Sequence, residues 1–161
     1  MDLAALGQLE QLRTMAQSDE PLLPFWFGER EGATAAELAA AEEYLGYRLP
    51  TALRELLQEQ NGGVSNFAAY EKAGFYYPLL PLFGVDPNAG AGTLMRAFDV
   101  NETFEVPSGI VMFAGEGHAW WGLDYRRNAD RPAIVYRNSE DEPIEEVTGS
   151  FEELLQGLVA G

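Results

Sequence analysis

The sequence predicts an α+β domain: N-terminal helices, an antiparallel-rich mixed-sheet meander, and a C-terminal helix packed on the sheet. Three observations carry that expectation. Two helices are punctuated by start and stop signals between Thr34 and Gly63. Residues 110–147 alternate short apolar runs with polar turns. Residues 150–159 return to a helical spacing of apolar side chains. Helices segregated from a run of strands argue α+β and not a doubly wound sheet.

The elements follow in order. Residues 3–17 read as a helix, because Ala5, Leu9, Leu12 and Ala16 recur at helical spacing. Pro21, Pro24, Gly28 and Gly32 break the next stretch around Phe25-Trp26-Phe27. Thr34-Ala35-Ala36-Glu37 is a capping box. Leu38, Ala41 and Leu45 form the stripe behind it, and Gly46 stops the helix. Pro50 starts the next helix, Leu53, Leu56 and Leu57 face inward, and Asn61-Gly62-Gly63 ends it. Phe75-Tyr76-Tyr77 and Leu79–Phe83 look like short strands, with Pro78 and Pro81 favouring an edge or a bend. Residues 93–98 read as a short helix. Ile110–Phe113 and His118–Tyr125 form a hairpin about Gly115-Glu116-Gly117, and Ala133–Tyr136 and Ile144–Val147 add two strands. Ser150 to Glu153 is a second capping box. Phe151, Leu154, Leu155, Leu158 and Val159 then supply an amphipathic helix.

At 161 residues the chain fits a single domain over 1–161, with 1–19 as a helical extension. Hydrophobic residues make up 47% and charged residues 22%, which are globular proportions. The start of the chain lacks the basic region of a secretory signal, and no stretch has the apolar length of a membrane span. There are no cysteines, so disulfides, thiolate metal sites and cysteine nucleophiles are excluded. Twenty-six acids against ten bases give a formal charge of -16. Phosphate backbones and anionic membranes repel such a chain, so neither nucleic acid nor membrane is expected as a partner.

No catalytic or cofactor motif stands out. His118 is the only histidine, too few for a zinc shell, and no G-x-S-x-G elbow accompanies it. Gly90-Ala91-Gly92 and Gly115-Glu116-Gly117 lack the order of a phosphate loop. No cofactor is expected. Glu116 and Asp124 flank one hairpin and raise the idea of a carboxylate-dependent hydrolase, although a chain this acidic pairs carboxylates readily. Trp120 and Trp121 point to opposite faces of a strand. Either one is exposed, which makes Trp121 a candidate partner anchor, or a flanking helix covers both. From Asn138 to Gly161 there are seven acids and no base. Glu152 and Glu153 suit a helix N-terminus. Glu140, Asp141, Glu142, Glu145 and Glu146 have no such duty and form, with Glu116 of the neighbouring hairpin, a candidate partner-binding face.

These pieces resemble the SUKH superfamily, whose best-known eukaryotic member is a yeast cell-wall synthesis regulator. The resemblance runs over residues 20–160. It rests on Thr34-Ala-Ala-Glu37-Leu38, Leu45-Gly46, Leu49-Pro50, Leu56-Leu57, Asn61-Gly62-Gly63, Gly115-Glu116-Gly117, Trp121-Gly122-Leu123-Asp124 and Ser150-Phe151 with Leu154-Leu155. It implies a non-catalytic binding protein. For bacterial members it implies a cytoplasmic immunity protein that neutralises a cognate toxin, often a nuclease, by direct contact. The net acidity fits a basic toxin domain as partner. A regulatory scaffold of the yeast type is the alternative.

Overall fold

The computed structural model describes residues 24–88 and 92–160. The helix expected at 3–17 lies outside the described residues, as do Gly90 and Ala91.

Helix α1, Ala35–Leu45, begins at the expected capping box. The Thr34 hydroxyl accepts from the Glu37 N–H at 3.1 Å, and the Thr34 N–H donates to Glu37 Oε1 at 3.0 Å. The helix stops at Gly46, whose φ of 77° is left-handed backbone that glycine adopts without strain. Helix α2, Thr51–Glu59, buries Leu53, Leu56 and Leu57. The Asn61-Gly62-Gly63 block ends α2 and also grips the chain 20 residues further on. Gly63 and Leu82 exchange backbone hydrogen bonds of 2.9 and 2.8 Å, and Asn61 Oδ1 accepts from the Val85 N–H at 2.8 Å. A Cβ on Gly62 would sit 2.6 Å from the Gly84 nitrogen, so only glycine permits that approach.

Strands β1, Phe67–Lys72, and β2, Phe75–Pro78, form a hairpin closed by Ala73 and Gly74, with φ values of 51° and 85°. Positive φ at both loop residues matches the twist of the strands they join. The sequence reading did not foresee β1. It also placed a strand at 79–83, where the chain is extended but only bridges Gly63 and Ala114 through Leu82. Leu94–Arg96 is a 3-10 turn that leads into helix α3, Ala97–Thr103. Four strands follow as an antiparallel meander in the order β3-β4-β5-β6: Ile110–Glu116, Ala119–Asp124, Ala133–Arg137 and Glu145–Thr148.

Helix α4 spans Phe151–Gln156 and is shorter than the sequence periodicity suggests. Leu158 and Val159 were expected on its apolar stripe. They belong instead to β7, Leu158–Ala160, which pairs antiparallel with β1. Gly157 makes the break possible, because a Cβ there would meet the Tyr70 ring at 2.2 Å. The second sheet thus has the order β2-β1-β7. All named strand pairs are antiparallel, and Gly84 and Thr93 form an isolated parallel bridge.

The four-stranded sheet is covered on both faces. Val111, Phe113, Trp121 and Leu123 pack with Leu38, Leu53, Leu56 and the α4 residues Phe151 and Leu154. Ile110, Met112, Trp120 and Val135 pack on the other face with Val100 and Val106. Gly122 leaves the room that the Trp120 indole fills, since a Cβ there would lie 2.9 Å from Trp120 Cζ3. The two indoles do point to opposite faces, but they are 1% and 0% exposed. Trp121 is therefore not a surface anchor, because both faces of its strand are roofed.

A candidate protein-binding groove

Strand β2 is an edge of the small sheet, and its aromatic run has two environments. Phe75 is 73% exposed and Tyr76 64%. Rings this open are unusual on a protein surface and are enriched where partners dock. Tyr77 is half-buried. Its ring meets Tyr136 and Trp121 edge-on at centroid distances of 5.5 and 6.0 Å. Its hydroxyl donates to Glu145 Oε1 at 2.8 Å. Burial first, and then the bond and the charge of Glu145, push the Tyr77 phenol up to about 12. The Trp121 indole N–H donates to the Pro78 carbonyl at 2.8 Å, which fixes the far end of β2. Trp121 therefore supports the surface from below.

Across from β2 stands the turn between β5 and β6. Its shape is set by Arg137, whose guanidinium donates to the carbonyls of Ser139 at 3.0 Å, Glu142 at 2.9 Å and Glu140. A single buried-stemmed arginine thus gathers the backbone of an acidic loop and turns its carboxylates outward. Tyr136 donates to Asn138 Oδ1 at 3.2 Å beside it. Between β2 and this turn lies a groove of about 410 Å³. Among the described residues, Glu142 and Glu145 are the charged ones lining it. The groove is aromatic on one wall and acidic on the other.

The sequence-predicted acids distribute around it. Glu142 and Glu145 line the groove, and Glu140 and Asp141 are exposed in the same turn. Glu140 reaches back to the neighbouring hairpin, where its Oε1 lies 3.2 Å from His118 Nδ1. That contact brings the exposed Glu116 at the hairpin tip beside the acidic turn. Glu146 alternates to the other face of β6 and meets Arg127 at 3.5 Å. Three of the five acids thought to lack a duty therefore have partners: Glu140, Glu145 and Glu146. The sequence reading missed Phe75, Tyr76 and Tyr77 as site residues. Their signal was three successive aromatics ahead of a proline, in a strand whose edge character was already legible.

The hydrolase pair is not a pair. Glu116 lies opposite Ala119 and Asp124 opposite Ile110, at the two ends of the hairpin. Five residues of strand separate them by about 17 Å, whereas glycosidase carboxylates stand about 5–10 Å apart. Asp124 is also occupied. Burial would raise its carboxyl, but Arg126 donates to both oxygens at 3.0 Å and through its backbone N–H, and holds it below the usual range. A carboxylate kept charged in this way ties down the loop after β4 and is a poor proton donor. Among the described residues no three His, Asp or Glu side chains converge as a metal site, and no helix is long and apolar enough to cross a membrane.

No curated protein matches the chain. The model of the SMI1 / KNR4 family (SUKH-1) matches residues 32–157. That span takes in the helix–NGG block, the groove and the meander through α4. The chain belongs to the SMI1 / KNR4 family (SUKH-1).

Proposed function

We propose that the protein is a non-catalytic binding protein of the immunity type, which holds a basic toxin domain and masks its working surface inside the cell that makes both. The observation that carries this reading is the groove itself, with exposed Phe75 and the Tyr77 ring on the wall opposite Glu142 and Glu145, and no base in its lining among the described residues. Toxins that grip phosphates present Lys and Arg, and those charges attract this chain at long range. Carboxylates on the rim accelerate encounter, and the aromatic wall supplies the desolvated contact that slows release. The net charge of -16 acts in the same direction.

The test is binding to the product of the neighbouring reading frame, measured at two salt concentrations. The wild type is compared with a variant in which Glu140, Glu142, Glu145 and Glu146 become Gln and Asp141 becomes Asn. Association of the wild type should slow as salt rises, because exposed charges are screened beyond about 8 Å. The variant should associate slowly at both concentrations. Salt-independent association together with full protection by the variant would remove the acidic face from the mechanism.

A further inference from the structure

The open edge of β2 offers less than its length suggests. Glu71 donates its N–H to the Gly157 carbonyl at 2.9 Å, so its backbone faces β7 and not β2. The facing pair Glu71 and Tyr76 is therefore a non-hydrogen-bonded pair of the hairpin. It follows that the N–H and C=O of Tyr76 point away from β1, onto the open edge. The next outward position is Pro78, which has no N–H and whose carbonyl is taken by Trp121. Among the described residues the edge thus presents one donor and one acceptor, both on Tyr76. That is enough to register one residue of an extended chain and too little to extend the sheet into an aggregate.

The side chains around that point have one chemistry. Phe75 and Tyr77 alternate onto one face of β2. Glu142 and Glu145 stand across the groove, and among the described residues no basic side chain lines it. An arginine suits both walls, because its guanidinium pairs with carboxylates and lies on aromatic faces. We propose that the groove takes an extended, arginine-bearing segment of the bound partner, registered by a pair of main-chain hydrogen bonds to Tyr76. The inference deepens the reading above and rests on it only in assigning the segment to that partner.

The probe is a short synthetic peptide of alternating arginine and valine, titrated into the full chain and followed by backbone amide resonances. A peptide with glutamate in place of arginine is the control. The arginine peptide should shift the amides of Phe75, Tyr76 and Glu145, and the glutamate peptide should not. Phe75→Ala and the double variant Glu142→Gln/Glu145→Gln should each weaken binding about tenfold. Tyr76→Pro removes the outward N–H while costing no ladder hydrogen bond, and its fixed φ is tolerated on an edge strand; it should bind about tenfold more weakly than Tyr76→Ala, with thermal melting confirming that both fold. Equal shifts with the two peptides, or shifts confined to other surfaces, would overturn the proposal. So would Tyr76 shifts that follow protein concentration alone with a dimer in ultracentrifugation, because the edge would then pair with a second copy. Peptide binding without toxin protection keeps the groove and removes the immunity reading. Toxin protection undiminished by these variants does the reverse.

Discussion

The Trp121 indole donates to the Pro78 carbonyl at 2.8 Å, and that bond joins the inner strand β4 of the large sheet to the end of β2 in the small one. Trp121→Phe keeps an aromatic ring but leaves a carbonyl without its donor. Pro78 is exposed, so water can take its carbonyl, and the loss is that of a net hydrogen bond, about 0.5–1.5 kcal/mol. The denaturation midpoint should fall accordingly, and the amides of Phe75 and Tyr76 should shift with it. An unchanged midpoint would show that the two sheets are held together elsewhere.

Leu154 in α4 is fully buried between the helices and the large sheet. Leu154→Ala should cost about 2–5 kcal/mol. Val159→Ala, on the half-buried β7, should cost clearly less. Equal losses at the two positions, measured by chemical denaturation, would favour one continuous apolar helix over the helix–strand break.

Gly157→Ala drives a methyl into the Tyr70 ring. Overpacking of this kind costs about 1–3 kcal/mol. The strain should appear locally as faster hydrogen exchange at the Glu71 amide, which is bonded to the Gly157 carbonyl. Adding Tyr70→Leu should recover part of the loss, and a double-mutant cycle reads the coupling. Strict additivity would mean that the ring is not the obstacle.

Asp124 governs part of the acid limb of stability. Its folded carboxyl lies below the unfolded value. The stabilisation is therefore present above the ordinary carboxylate range and is lost as pH falls through the folded value. Asp124→Asn should flatten the decline of stability on acidification. At neutral pH its cost should be modest, because Arg126 is half exposed and water screens the pair. An acid limb identical to wild type would contradict this.

The Tyr77 phenol, pushed up to about 12, gives an optical test of the groove. The neutral phenol contributes stability below the ordinary tyrosine range, and that contribution is lost as pH rises through about 12. Glu145→Gln should bring the phenol down toward its ordinary value, with burial keeping it above. Absorbance titration of tyrosinate checks the shift, and an unmoved titration would mean that Glu145 does not reach Tyr77 in solution.

Local signals were legible wherever one residue type has one structural use. Thr34 with Glu37, and Gly46 in left-handed backbone, set α1 to the residue. The apolar runs of the meander set β4 to β6 within a residue at each end and β3 at its start, while β3 runs three residues past Phe113 into the Gly115-Glu116 turn signal. What escaped depends on partners distant in sequence. Leu158 and Val159 have helical spacing, but pairing with β1 overrides it. Trp120 and Trp121 alternate as expected, yet only the tertiary placement of α3 shows that the second face is roofed. The acids Glu142 and Glu145 were legible as a charged face from composition alone. The aromatic wall opposite them was not, because β1 was unforeseen and the exposure of Phe75 depends on which side of β2 stays open.

The pairing of β7 with β1 also governs the order in which the molecule assembles. Phe67 meets Ala160 across roughly 90 residues of intervening chain, and closing so long a loop is slow unless the segments between have already condensed. The meander joins neighbouring strands through short turns and has no such delay. The small sheet is thus expected to lock last, after synthesis has passed residue 160, and the edge of β2 becomes rigid only then. Pulse-labelled exchange should protect the Leu123 amide before that of Glu71. A nascent chain can then hold its meander before the edge of β2 is fixed, because that edge waits for β7.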